Sequence, residues 1–96
     1  MNKEIIVYGT KWCGDTIRAL RILKNHQIDF IWVDITRNSE GAKIVEKINH
    51  GCRSVPTIIF PDQSILVEPS NDQLEQKIKA LNLDIQDSKA PDYPID

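Results

Sequence analysis

The chain is poor in cysteine, in aromatic residues and in long apolar runs. Its 96 residues include two cysteines, Cys13 and Cys52. That is too few for a disulfide-dense scaffold, so each reads either as a chemical group or as a small buried hydrophobe. No run approaches the roughly 18 apolar residues that cross a bilayer. The opening Met1-Asn2-Lys3-Glu4 leads straight into Ile5-Ile6-Val7-Tyr8, which is too short for the core of a secretion signal and has no small-residue cleavage site after it. The expected location is therefore the cytoplasm. Neither sign of charge dominates, the net charge being −2, so no preference for nucleic acid or membrane follows.

What is present suits one small globular domain, with 41% hydrophobic and 27% charged residues. The charge is unevenly spread. Residues 1–82 hold 11 basic and 10 acidic residues, whereas residues 83–96 hold Lys89 against Asp84, Asp87, Asp92 and Asp96. With Pro91, Pro94 and little periodicity, residues 83–96 are expected to form a mobile acidic tail behind a domain of residues 1–82.

Along the domain, Lys3 to Tyr8 reads as a strand whose continuous β-rich run suits the middle of a sheet. Gly14 to about His26 reads as a helix, with Ile17, Leu20 and Leu23 inward and Arg18, Arg21 and Lys24 outward. Phe30 to Ile35 is a second strand. Asn38 or Ser39 caps a second helix, with Ile44, Val45 and Ile48 inward and Gly51 as its stop. Thr57 to Phe60 and Ser64 to Val67 form a hairpin about Pro61-Asp62-Gln63. Ser70-x-x-Gln73 is a capping-box pattern, and Leu74, Ile78 and Leu81 give the last helix an apolar face. The order is β-α-β-α-β-β-α. An α/β fold with one mixed four-stranded sheet between helices buries the apolar stripes.

Cys13 then falls where the first strand hands over to the first helix, at the carboxyl end of a strand, where open α/β sheets place their chemistry. A helix N-terminus offers unpaired N–H groups and the positive end of the dipole, both of which favour a thiolate. Lys11 acts in the same direction and Asp15 against it, which leaves the net sign open. Thr16 stands where a Cys-x-x-Cys motif has its second thiol, so any exchange here is monothiol. The Thr16 hydroxyl can donate to the Cys13 sulfur or cap the helix N–H groups, capping being the default. Cys52 is the other candidate thiol, a possible second partner. It precedes Pro56 by four residues, so an extended chain places it about 13 Å from that proline, and an incidental loop thiol is the default. His26 and His50 fall at helix C-termini, with no metal-ligand spacing to the cysteines.

Trp12-Cys13-Gly14-Asp15-Thr16 after a strand, with Ser54-Val55-Pro56-Thr57 opening the third strand, resembles the glutaredoxin branch of the thioredoxin-fold superfamily over about residues 3–82. Among its bacterial branches the mycoredoxin type looks most similar, through the Trp-Cys-Gly start, the Gly51 to Thr57 segment and the Glu68-Pro69-Ser70 stretch. The resemblance implies a thioredoxin-like fold and a redox-active Cys13. It also implies a cis peptide before Pro56, with Val55 offering its backbone to an extended thiol substrate. The resemblance implies that Lys11 and Arg53 hold a carboxylate of a small thiol, solvated surface charges being the alternative for each, and Trp12 is expected either to flank the site with its ring partly exposed or to serve as packing.

The departures are Asp15 and Thr16 in place of the Phe and Ser of the iron–sulfur members, and Glu68-Pro69-Ser70-Asn71-Asp72 in place of a Gly-Gly turn and acidic pair. Asn71 and Asp72 therefore match the family's thiol-binding turn poorly. The implied activity is thiol–disulfide exchange on mixed disulfides between proteins and a low-molecular-weight thiol, glutathione or mycothiol-like. No tightly bound cofactor, nucleic acid or membrane is implied, and a monomer is expected. The alternatives are a [2Fe–2S] carrier formed by a thiol-bridged dimer and a non-catalytic binding module.

Overall fold

The computed structural model describes residues 4–83. Its elements are β1 (Ile5–Gly9), α1 (Gly14–Asn25), β2 (Phe30–Asp34), α2 (Ser39–Ile48), β3 (Thr57–Ile59), β4 (Ile65–Val67) and α3 (Asn71–Ala80). The sheet order is β2-β1-β3-β4. β1 runs parallel to β2 and antiparallel to β3, and β3 and β4 form the antiparallel hairpin. The expected element order and mixed sheet are both present. The expected tail lies outside the described residues except for Leu83. That residue still belongs to the fold, since its N–H bonds to the Ile78 carbonyl and its side chain packs on the core.

The continuous apolar run of β1 is explained by burial on both faces. Ile5 and Val7 join Ala19, Leu23, Ile28, Ile58, Phe60, Leu74 and Ile78 in the larger core, under α1 and α3. Tyr8 and Ile6 meet Ile35, Ala42, Val45, Val33 and Ile59 in a smaller core under α2. At the far edge, β4 alternates: Leu66 packs inward while Ile65 and Val67 are exposed.

α3 buries Leu74 and Ile78 as expected, and Leu23 and Val45 also face inward, but the inner faces of α1 and α2 are otherwise turned from expectation. Ile17 and Ile44, expected inward, are each 40% exposed. The buried residues of α1 are Thr16, Ala19 and Leu23, and those of α2 are Gly41, Ala42 and Val45. Small residues decide this, because they let a helix approach the sheet closely. A Cβ added to Gly9 would come within 2.7 Å of Thr16, and one added to Gly41 within 2.7 Å of Val33. α1 therefore turns Thr16 and Ala19 to the sheet. Ile17 instead borders an open groove of about 390 Å³, shared with Leu20, Phe30, Trp32, Lys11 and Lys24.

The helix ends follow local chemistry. Asn38 caps α2 by accepting the Gly41 N–H at 2.8 Å, and Ser70 and Gln73 form the full capping box of α3. All three helices leave through a residue with positive φ: Gln27 (59°), His50 (56°) and Asn82 (56°). The stop after α2 is thus His50 rather than Gly51, whose own N–H bonds back to the Glu46 carbonyl at 2.6 Å.

Candidate functional site

Cys13 is the N-cap of α1, half-buried and extended (φ −84°, ψ 121°), and its side chain makes no capping bond. The sulfur is therefore not occupied in satisfying the helix. The first intrahelical bond runs from the Ile17 N–H to the Cys13 carbonyl at 3.0 Å, which leaves the first-turn N–H groups at the thiol's end of the helix.

The wall facing the sulfur is the loop into β3. The Val55–Pro56 peptide bond is cis, the geometry the resemblance implies. The Cys13 Sγ lies 3.8 Å from the Val55 carbonyl oxygen. Buried Pro56 follows, and its carbonyl accepts the Glu68 N–H at 2.8 Å. Thr57, fully buried, donates its hydroxyl to the Ser54 carbonyl at 2.7 Å and accepts from Asn49 Nδ2 at 3.2 Å. The same Asn49 amide also reaches the Val45 carbonyl at 2.9 Å. The loop is thus tied to the end of α2 on one side and to the approach to α3 on the other.

The remaining sequence candidates separate. Trp12 is 72% exposed, the most exposed of the large hydrophobic residues described. Lys11 is exposed and lines the groove between α1 and β2. Arg53 lies on another side: its Nε bonds to Glu46 Oε2, and it lines a polar cavity of about 460 Å³ with Thr36, Arg37 and Lys43. Lys11 and Arg53 therefore border different cavities. Cys52 is exposed in the loop after α2, and both cysteines are free.

Thr16 corrects both of its expected roles. It is fully buried, and its Oγ1 has no hydrogen-bond partner. The hydroxyl neither caps α1 nor bonds to the Cys13 sulfur, because the side chain is packed against Gly9. Asn71, in the first turn of α3, accepts from Arg18 Nε at 3.2 Å, and Arg18 also pairs with Asp15 at 2.8 Å. His26 pairs with Glu75 across α1 and α3 at 2.7 Å. Asn49, Arg18 and Glu68 make tertiary bonds around the candidate site that sequence reading missed.

Among the described residues, no group of three or more His, Cys, Asp and Glu side chains can hold a metal ion. Asp34, at the end of β2, is held below the usual carboxylate range. The main cause is the Thr36 hydroxyl and N–H bonding to its Oδ1, with Lys11 and Arg37 adding to it.

A free thiol opening the first helix, opposite a cis-proline peptide on a β2-β1-β3-β4 sheet, marks a thiol protein of thioredoxin-like fold. Solved structures agree. A thioredoxin-like protein superposes with a TM-score of 0.66 at 19% identity, over 86% of this chain and 99% of the other. The glutaredoxin of Archaeoglobus fulgidus gives 0.63 at 27% identity, over 77% and 84%. The glutaredoxin family model matches residues 5–65. A glutaredoxin-like protein of Mycobacterium tuberculosis is 38% identical over 81% of this chain and 93% of its own length. Mycoredoxin 1 of Corynebacterium glutamicum is 30% identical over 81% and 96%. The chain belongs to the glutaredoxin family and is a thiol–disulfide oxidoreductase. No helix among the described residues is long and apolar enough to cross a membrane.

Proposed function

We propose that Cys13 alone performs the exchange, on mixed disulfides between proteins and a low-molecular-weight thiol of the mycothiol kind. The observation that carries the reading is the 3.8 Å approach of the Cys13 sulfur to the Val55 carbonyl across the cis Val55–Pro56 peptide. A disulfide substrate extended along that backbone has its sulfur beside the thiol, and the neighbouring peptide groups align it as an added strand. Two further points support the small thiol. One relative is a mycoredoxin, and the turn before α3 is Glu68-Pro69-Ser70 rather than Gly-Gly.

In the exchange, the Cys13 thiolate attacks the small-thiol sulfur of the mixed disulfide. A bond forms between Cys13 and that sulfur, the bond to the protein breaks, and the protein leaves as its thiolate, reduced. A second small-thiol thiolate then attacks the adduct, releasing the small-thiol disulfide and restoring the Cys13 thiolate. One free small thiol is oxidised per turnover and ends in the small-thiol disulfide, which balances reduction of the protein sulfur, so no second protein thiol is needed. Exposed Trp12 offers an apolar face to the protein substrate, Lys11, two residues before the thiol, is a cationic contact for a carboxylate, and Arg53, which borders a different cavity and is paired with Glu46, is a second and separate one. Cys52 stands outside the cycle. Two free cysteines suit a reducing compartment such as the cytoplasm, and a monomer suffices because one thiol does the work.

The test is exchange activity on a mycothiol-modified and a glutathione-modified protein. Cys13→Ser abolishes it with both and Cys52→Ser leaves it intact, with the mycothiol substrate turning over faster. Full activity of Cys13→Ser refutes the reading.

A further inference from the structure

Asp15 lies two residues after Cys13, in the first turn of α1, and an unpaired carboxylate there opposes any negative charge gathering at the sulfur. The structure does not leave it unpaired. Arg18 Nη2 meets Asp15 Oδ1 at 2.8 Å, and Nε of the same guanidinium donates to Asn71 Oδ1 at 3.2 Å. Asn71 opens α3 directly after the Ser70 cap. Three residues before Asn71, the Glu68 N–H reaches the Pro56 carbonyl at 2.8 Å, and the preceding Val55 carbonyl faces the thiol. The contacts thus close a circuit that includes Cys13, from the cis-proline loop through the start of α3 and Arg18 back to the first turn of α1. Arg18 is the member of that circuit that bridges α1 and α3.

We propose that Arg18 is a positioning residue for exchange at Cys13. It holds the Asp15 carboxylate in an ion pair anchored on α3, so that an anionic disulfide partner approaching the sulfur does not meet an uncompensated negative charge. The other charged side chains on these segments are Lys11, Arg53, Glu68 and Asp72. Arg53 already pairs with Glu46, which leaves Lys11 as the cation beside the thiol in sequence. An unpaired Asp15 offsets Lys11, whereas a paired one leaves it effective. The inference rests on Cys13 being the reacting thiol.

The test compares an anionic with a neutral alkylating reagent of nearly the same size, iodoacetate and iodoacetamide, at low ionic strength. Modification is followed at Cys13 by peptide mass spectrometry, so that reaction at Cys52 is counted apart. Between charges separated by two or three residues at a surface, the effect expected on the iodoacetate-to-iodoacetamide rate ratio is about threefold. Arg18→Gln lowers the ratio by that factor, Asp15→Asn raises it, and the double variant returns it to the wild-type value. Arg18→Lys, which keeps the charge, stays near wild type. Salt at about 0.5 M removes the differences.

A ratio unchanged in both single variants overturns the proposal. So does an equal loss of both rates in Arg18→Gln, because it means a packing role alone. If Cys13 of the wild-type chain takes up neither reagent and performs no exchange, the Cys13 reading itself fails, which is a distinguishable result.

Discussion

The two stretches that flank Cys13 are built in opposite ways. On one side, Ser54 to Thr57 is bonded almost residue by residue: Ser54 to Thr57, Val55 to the thiol, Pro56 to Glu68, and Thr57 again to Asn49. Pro56 and Thr57 are buried. On the other side, Lys11 and Trp12 stand exposed, and the backbone contact there is a longer bond from the Cys13 N–H to the Thr10 carbonyl at 3.4 Å. A thiol exchanger needs both kinds of wall. Attack on a disulfide requires the incoming sulfurs to be held in line, which calls for a fixed template. Acting on different proteins requires a surface that makes few demands of its partner.

The contrast sets an order of effects. The largest after loss of the thiol itself belongs to the fixed wall. Thr57→Val removes the donor to the Ser54 carbonyl and leaves the Asn49 amide with its Val45 bond alone, which costs about 1–2 kcal/mol of stability and loosens the loop. Exchange slows on the order of tenfold. Denaturant unfolding and steady-state kinetics on one preparation measure both. Stability and rate left unchanged would mean that the loop is held by something else.

The open wall responds more mildly. Trp12→Ala changes stability by less than about 0.5 kcal/mol, because a residue 72% exposed has little packing to lose. It raises KM for a protein mixed disulfide about threefold while a small disulfide substrate is unaffected. An equal effect on both substrates would place the ring in the chemistry instead of in partner contact.

The smallest effect concerns acid. Asp34 has its carboxyl lowered by the Thr36 bonds and by the cations Lys11 and Arg37. A depressed carboxyl contributes stability that is present above its unfolded value and lost as pH falls through the folded one. Asp62, lowered by Ser64 in the β3–β4 turn, acts in the same direction. Stability therefore declines as pH drops below the ordinary carboxylate range, and Asp34→Asn makes that decline shallower. Thermal melts of both proteins across acidic pH check this, and identical slopes would contradict it.

The same contrast runs through what the sequence revealed. Elements governed by local rules were legible: the apolar β1 run, the Asn38 cap, the Ser70 and Gln73 box, and a thiol at the first strand-to-helix junction. The facing of α1 and α2 was legible only in part, through Leu23 and Val45, because the rest depends on where small residues let a helix approach. Gly9 beneath Thr16 and Gly41 beneath Val33 turn Ile17 and Ile44 outward against the pull of their hydrophobicity. Thr16 was misread for the same reason: its position in the motif suggested a hydrogen-bonding role, and its position in the fold makes it packing. Asn49, Glu68 and the Arg18–Asn71 bond escaped because each links residues brought together by tertiary structure. Helix exits through Gln27, His50 and Asn82 lacked the expected signal of glycine.

In the proposed function Cys13, held against the cis-proline wall, carries the small thiol by itself. A single turnover of the full chain with a mycothiol-modified protein, quenched in acid and mapped by mass spectrometry, tests it most directly. The predicted result is one small-thiol adduct on Cys13, none on Cys52, and the protein substrate released with its thiol reduced. An adduct on Cys52, or a Cys13–Cys52 disulfide in place of the adduct, would contradict it.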